Sequence, residues 1–173
     1  MSGISISITQ LIIKGIPEGM LTVLAIHFFT RTKIDLKRYL LLCVLYISAT
    51  YIIRCLPIKL GINTILSMLV LILVFQVAYK AQLEKVAKSV ISCVAILIFI
   101  VFSEALNIML LEFVLGYDKA ASLLQSEDML IKSVSITPST VFFAIFIIAG
   151  NQVLTMIEKR KSEHGETGKK NRW

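Results

Sequence analysis

Five apolar stretches, each long enough to cross a hydrocarbon core of about 30 Å as a helix, leave this chain few ways to fold. They fall at 6–29, 39–56, 62–79, 89–115 and 141–157 of 173 residues. Backbone that enters lipid must satisfy its own N–H and C=O groups, and a helix does so within one segment. With 57% hydrophobic residues, 17% charged residues and a mean hydropathy of +0.83, the chain carries more apolar surface than a soluble domain of this size can bury. The expected fold is an all-α integral membrane protein, a helical bundle of about five transmembrane helices over 1–157 with a disordered basic cytoplasmic tail over 158–173. The count becomes six if the amphipathic stretch 119–134 re-enters the membrane, and four if the charged first segment lies at the interface. The first stretch has no basic leader and no small-residue cleavage site, so it is expected to stay on the mature chain.

Basic residues alternate with the connections. Arg31, Lys33, Lys37 and Arg38 follow the first stretch, Lys80, Lys85 and Lys88 follow the third, and Lys159, Arg160, Lys161, Lys169, Lys170 and Arg172 follow the fifth. The other two connections hold Lys59, and Asp118, Glu127 and Asp128 against Lys119 and Lys132. This bias predicts the N-terminus outside and the C-terminus in the cytoplasm. The net charge of +7 follows from the same bias. Basic loops beside spans meet anionic lipid headgroups, so the bilayer is the expected partner and nucleic acid is not. Cys43, Cys55 and Cys93 have no CxxC or Cys/His spacing, which leaves no expected metal or other cofactor.

Four charges interrupt the apolar stretches: Lys14, Glu18, Arg54 and Glu104. Counted along ideal helices from the basic ends, they fall within roughly 8 Å of one depth. A charge deep in a bilayer costs about 3 kcal/mol on insertion scales, so such groups are expected to pair and to face other helices. Two positive and two negative members balance, for instance with Arg54 on Glu104 and Lys14 on Glu18. Two readings stay open: ion pairs that set helix register, or a polar cavity open to the outside that binds a ligand or changes protonation. Asn107, one turn beyond Glu104, thickens the cluster, whereas Asn63, Gln76, Asn151 and Gln152 read as interhelical hydrogen-bonders. Pro17 between Gly15 and Gly19 predicts a kink or a short unwound segment whose residues 15–19 face the bundle interior. His27 is expected at the cytoplasmic interface, 120–131 as one surface helix, and 56–61 as a short outer turn.

Lys14-Gly-Ile-Pro-Glu-Gly and Leu56-Pro-Ile-Lys-Leu-Gly-Ile-Asn-Thr-Ile resemble the N-terminal membrane region of bacterial sensor histidine kinases of the accessory-gene-regulator (GHKL) type. The resemblance implies a bundle of about five to seven spans in a bacterial cytoplasmic (inner) membrane, reporting an outside signal, often a peptide, to a dimerisation helix and an ATP-binding domain. The residues here end where those parts would begin, and His164 in the charged tail is a poor substitute for a phospho-accepting histidine. The expectation is therefore a noncatalytic sensor-like or regulatory membrane module. Lys14, Glu18, Arg54, Glu104 and Asn107 would form its ligand-binding charge cluster, and a membrane protein or a second copy would receive the signal. The alternative is the substrate-binding subunit of a small-molecule transporter. An intramembrane enzyme would need a nucleophile beside a base, for which Cys43 and His27 are the nearest match in depth; no enzymatic activity is expected.

Overall fold

The computed structural model describes residues 10–56, 60–79, 83–126 and 128–170. These residues are helical apart from short connections, and among them five helices are long and apolar enough to cross a membrane: Leu11–Thr30, Leu36–Cys55, Ile62–Tyr79, Val86–Leu115 and Leu130–Lys161. The start of the first span before residue 10, the outer turn at 57–59, Lys80 and Glu127 lie outside the described residues.

The chain opens with a π-helical turn, Leu11–Gly15, that runs into α1, Ile16–Thr30. The helices that follow are α2, Leu36–Cys55, α3, Leu60–Tyr79, and α4, Leu83–Leu115. Two short helices, α5, Tyr117–Leu124, and α6, Met129–Ile136, lead into α7, Pro138–Lys170. Local chemistry sets the joints. Arg31 closes α1 in the left-handed region at φ 55°, its N–H returning to the carbonyls of His27 and Phe28. Asp35 opens α2 by accepting the Lys37 N–H at 3.2 Å, and Asp128 opens α6 by accepting the Leu130 N–H at 2.9 Å. Gly116, at φ 81°, turns the chain between α4 and α5 where a Cβ would be strained.

Two expectations change at this level. Pro17 does not unwind the first span: the Ile16 N–H reaches back five residues to the Leu11 carbonyl, and this widened turn precedes the proline, whose ring would otherwise crowd the carbonyl of Ile13. Within 15–19 the faces divide, with Gly19 buried and Ile16 and Pro17 exposed. The surface helix expected across 120–131 is two helices, because the Ser126 hydroxyl takes the Asp128 N–H and Asp128 in turn caps α6, an alternative to continuing the helical ladder.

The central helix is α1, packed against α2, α4 and α7, while α3 packs on α2 and α4. Val23, Ala25 and Ile26 of α1 are fully buried, and around them lie Leu42 and Tyr46 of α2, Leu71 and Phe75 of α3, Ile96 of α4, and Phe143 and Ile147 of α7. Two glycines mark the closest helix approaches. A Cβ on Gly19 would lie 2.6 Å from Ile47 Cγ1 of α2, and one on Gly150 would lie 3.0 Å from the Phe99 ring of α4. Large apolar side chains such as Leu45, Ile52, Leu73, Val77 and Phe113 point outward, so the outer surface of the bundle is apolar along these helices. The helix α7 continues to Lys170, beyond the expected end of the last span at 157.

Candidate functional site

Near the π turn, Lys14 holds two carboxylates. Its Nζ lies 2.9 Å from Glu104 Oε1 on α4 and 3.7 Å from Glu18 Oε2 one turn along α1. Lys14 is buried although charged, whereas the Glu104 side chain is 51% exposed. The illustrative pairing of Arg54 with Glu104 is therefore replaced: Lys14 takes Glu104, and it also takes Glu18 as expected. The packing explains this, since α1 lies against both α4 and α2 and places Lys14 toward α4 and Glu18 toward α2.

Arg54 stands apart from these pairs and makes no hydrogen bond or ion pair among the described residues. It lines a cavity of about 30 Å³ between α1 and α2, together with Glu18, Thr22, Tyr46, Thr50 and Tyr51. A smaller cavity of about 10 Å³ lies between α1, α4 and α7, lined by Lys14, Glu18, Ser103, Glu104 and Thr140. Glu18 belongs to both walls, and its buried Oε2 has no hydrogen-bond donor. Space of this size suits a water or the end group of a ligand; whole small-molecule pockets run from roughly 300 Å³ upward. Lys14, Glu18 and Glu104 together carry one excess negative charge, and Arg54 across the first cavity balances it. The hydroxyls of Thr22 and Ser103 are committed to carbonyls on their own helices, at 2.7 Å to Glu18 and 2.6 Å to Phe99. They do not solvate the charges.

Asn107 stands outside the ion cluster. It is 2% exposed, and its Nδ2 donates to the Ser135 carbonyl at 3.1 Å, tying α6 to α4. Since α6 also packs on the π turn, Asn107 holds the short helix that covers the first helix beside Lys14.

At the opposite end of α1 the structure brings together residues that the sequence reading kept apart. His27 is 1% exposed, so at this end of the helix it is enclosed by its neighbours. Its Nδ1 lies 2.6 Å from the Val23 carbonyl and its Nε2 2.9 Å from the Tyr79 hydroxyl. A carbonyl only accepts, so Nδ1 carries the hydrogen, and in the neutral ring Nε2 accepts from Tyr79. The rings of Tyr39, Phe75 and Tyr79 pack edge-on around it, with centroids 6.0, 5.3 and 5.4 Å away. Both imidazole nitrogens of His27 are occupied by Val23 and Tyr79, and neither contacts Cys43, which is buried and not in a disulfide. The paired aromatic residues at 75 and 79 of a span end are the signal that could have placed His27 inside.

Arg31 forms the second unexpected contact. Its Nη1 donates to Asn151 Oδ1 at 2.6 Å, its Nη2 to Thr155 Oγ1 at 2.9 Å, and its Nε to Glu158, which it approaches to 3.0 Å. The three acceptors share one face of α7 at spacings of four and three residues, a polar stripe visible in the sequence once its partner is known. No group of three or more metal-ligating His, Cys, Asp or Glu residues occurs among the described residues. No model of a known protein family matches the chain, and neither a curated protein nor a solved structure is significantly similar to it.

Proposed function

We propose that the chain is a multi-pass membrane module that senses rather than catalyses, with a polar ligand engaging the cavity between α1 and α2. The observation that carries this reading is the mismatch across that cavity: Arg54 makes no hydrogen bond or ion pair among the described residues, and Glu18 Oε2, with Lys14 Nζ no nearer than 3.7 Å, receives no hydrogen bond. A ligand end that accepts from Arg54 and donates to Glu18 satisfies both and keeps the cluster neutral. A neutral peptide amide, with its carbonyl acceptor and N–H donor side by side, has that chemistry. Glu18 shared with such a ligand is held less by Lys14, which keeps Glu104, and α1 then shifts against α2 and α4. The shift is limited to the ligand's difference in affinity for the two packings. Because α1 runs from the charge cluster to Arg31, its movement reaches α7 and a partner beyond.

In this reading the N-terminus lies outside, the C-terminus lies in the cytoplasm of a bacterial cell, and the receiver is a membrane protein or a second copy. The resemblance to accessory-gene-regulator sensor regions supports a peptide signal. A transporter subunit that engulfs its substrate is the weaker reading, since the cavity of about 30 Å³ is far below a whole-ligand pocket. The test is crosslinked co-purification from native membranes, with mass spectrometry of the retained peptides, small molecules and proteins. A companion held by wild type and lost from Arg54→Gln and Glu18→Gln is the expected result. Equal retention by both variants would remove the cavity from the mechanism.

A further inference from the structure

The Arg31 contact does more than join two helices, because it gathers charge at one level of the bundle. Arg31 is neutralised by Glu158, and Arg38 lies 3.6 Å from Asp35, so the acidic groups of both segments are already engaged. Lys33, Lys37, Arg160 and Lys161 are left exposed and without an ion pair among the described residues. Lys33 lies within about 7 Å of Arg31 along the backbone, and Lys161 within about 5 Å of Glu158 along the helix. Hence the two basic segments flank a single contact.

The depth of this cluster is also set. On α7 exposed Val153, Met156 and Ile157 give way to Arg160 and Lys161 within one turn, which is where a lipid-facing surface passes into the headgroup layer. Ile34 and Leu36, 45% and 69% exposed, alternate with Lys33 and Lys37 and supply apolar contact at the same level. Basic side chains interleaved with exposed apolar ones suit a ligand that is anionic at its head and apolar below.

We propose that the loop between α1 and α2 and the first polar turn of α7 beyond Ile157 bind the phosphodiester headgroup of an anionic phospholipid. Lys33, Lys37, Arg160 and Lys161 supply the charge, and the Arg31 contact sets their spacing. This site is independent of the Arg54 cavity at the other end of the bundle.

The test uses the full chain in bilayer discs of equal phosphatidylglycerol and phosphatidylcholine, with retained lipid counted by native mass spectrometry. Wild type should retain phosphatidylglycerol preferentially. Lys33→Gln with Lys37→Gln, both exposed and not needed for packing, should reduce that retention at least about fivefold. Arg31→Met, which keeps all four cations, should reduce it more than Lys88→Gln, an equal loss of charge on the exposed start of α4. Equal effects of Arg31→Met and Lys88→Gln would mean diffuse attraction and would overturn a built site, as would equal retention of the two lipids. Soluble glycerol phosphate at millimolar concentration should not displace the lipid; displacement by it, or by an oligonucleotide, would assign the patch to another ligand and overturn the proposal.

Discussion

Lys14 is the residue on which the charge cluster depends, since it alone touches both Glu18 and Glu104. Lys14→Met should cost roughly 3 kcal/mol by leaving two carboxylates without a cation. The triple variant Lys14→Met, Glu18→Gln, Glu104→Gln should recover most of that loss. Thermal unfolding in detergent measures both, and a triple variant no more stable than the single one would show that charge balance is not what the cluster contributes. Arg54→Gln breaks no pair among the described residues and should change stability by under about 1 kcal/mol. At the other end of α1, His27→Phe should cost about 1–2 kcal/mol by depriving the Tyr79 hydroxyl of its acceptor. Tyr79→Phe should cost a similar amount, and the double variant should cost less than the two together. The four charges were legible in the sequence by type and by their shared level along the helices. Their pairing was not, because depth is one coordinate and the direction each side chain takes around its helix is decided by neighbours.

Elements show the same division. The capped starts at Asp35 and Asp128 are local chemistry. The π turn is less so: Pro17 announces a missing hydrogen bond, but whether the helix kinks, unwinds or widens depends on what the turn must bury, here Lys14. Gly19 is the clearest case of a residue whose role appears only in packing. Gly19→Ala should destabilise the protein by about 1–3 kcal/mol, since its Cβ would meet Ile47 Cγ1 at 2.6 Å. Adding Ile47→Ala removes the obstructing atom, so a double-mutant cycle by chemical denaturation should give a favourable coupling between the two substitutions. An additive result would mean that α1 and α2 are not in close contact at Gly19.

For the whole molecule, the orientation that follows from the basic connections has a direct check. Cys55 is exposed near the end of α2, whereas Cys43 and Cys93 are buried. A membrane-impermeant thiol reagent applied to intact cells should label Cys55. It should fail to label Lys33→Cys in a Cys55→Ser background until the membrane is opened, and the reverse pattern would invert the topology. Five long apolar helices, the alternation of basic connections and four charges within the apolar stretches follow from the sequence alone, because hydropathy and charge are properties of single segments. Only the tertiary structure decided that α1 lies at the centre, that Lys14 rather than Arg54 takes Glu104, that His27 is enclosed by aromatic rings, and that Arg31 grips α7. Each of these depends on which face of one helix meets which face of another, and a strip of residues read in order carries no angle between helices.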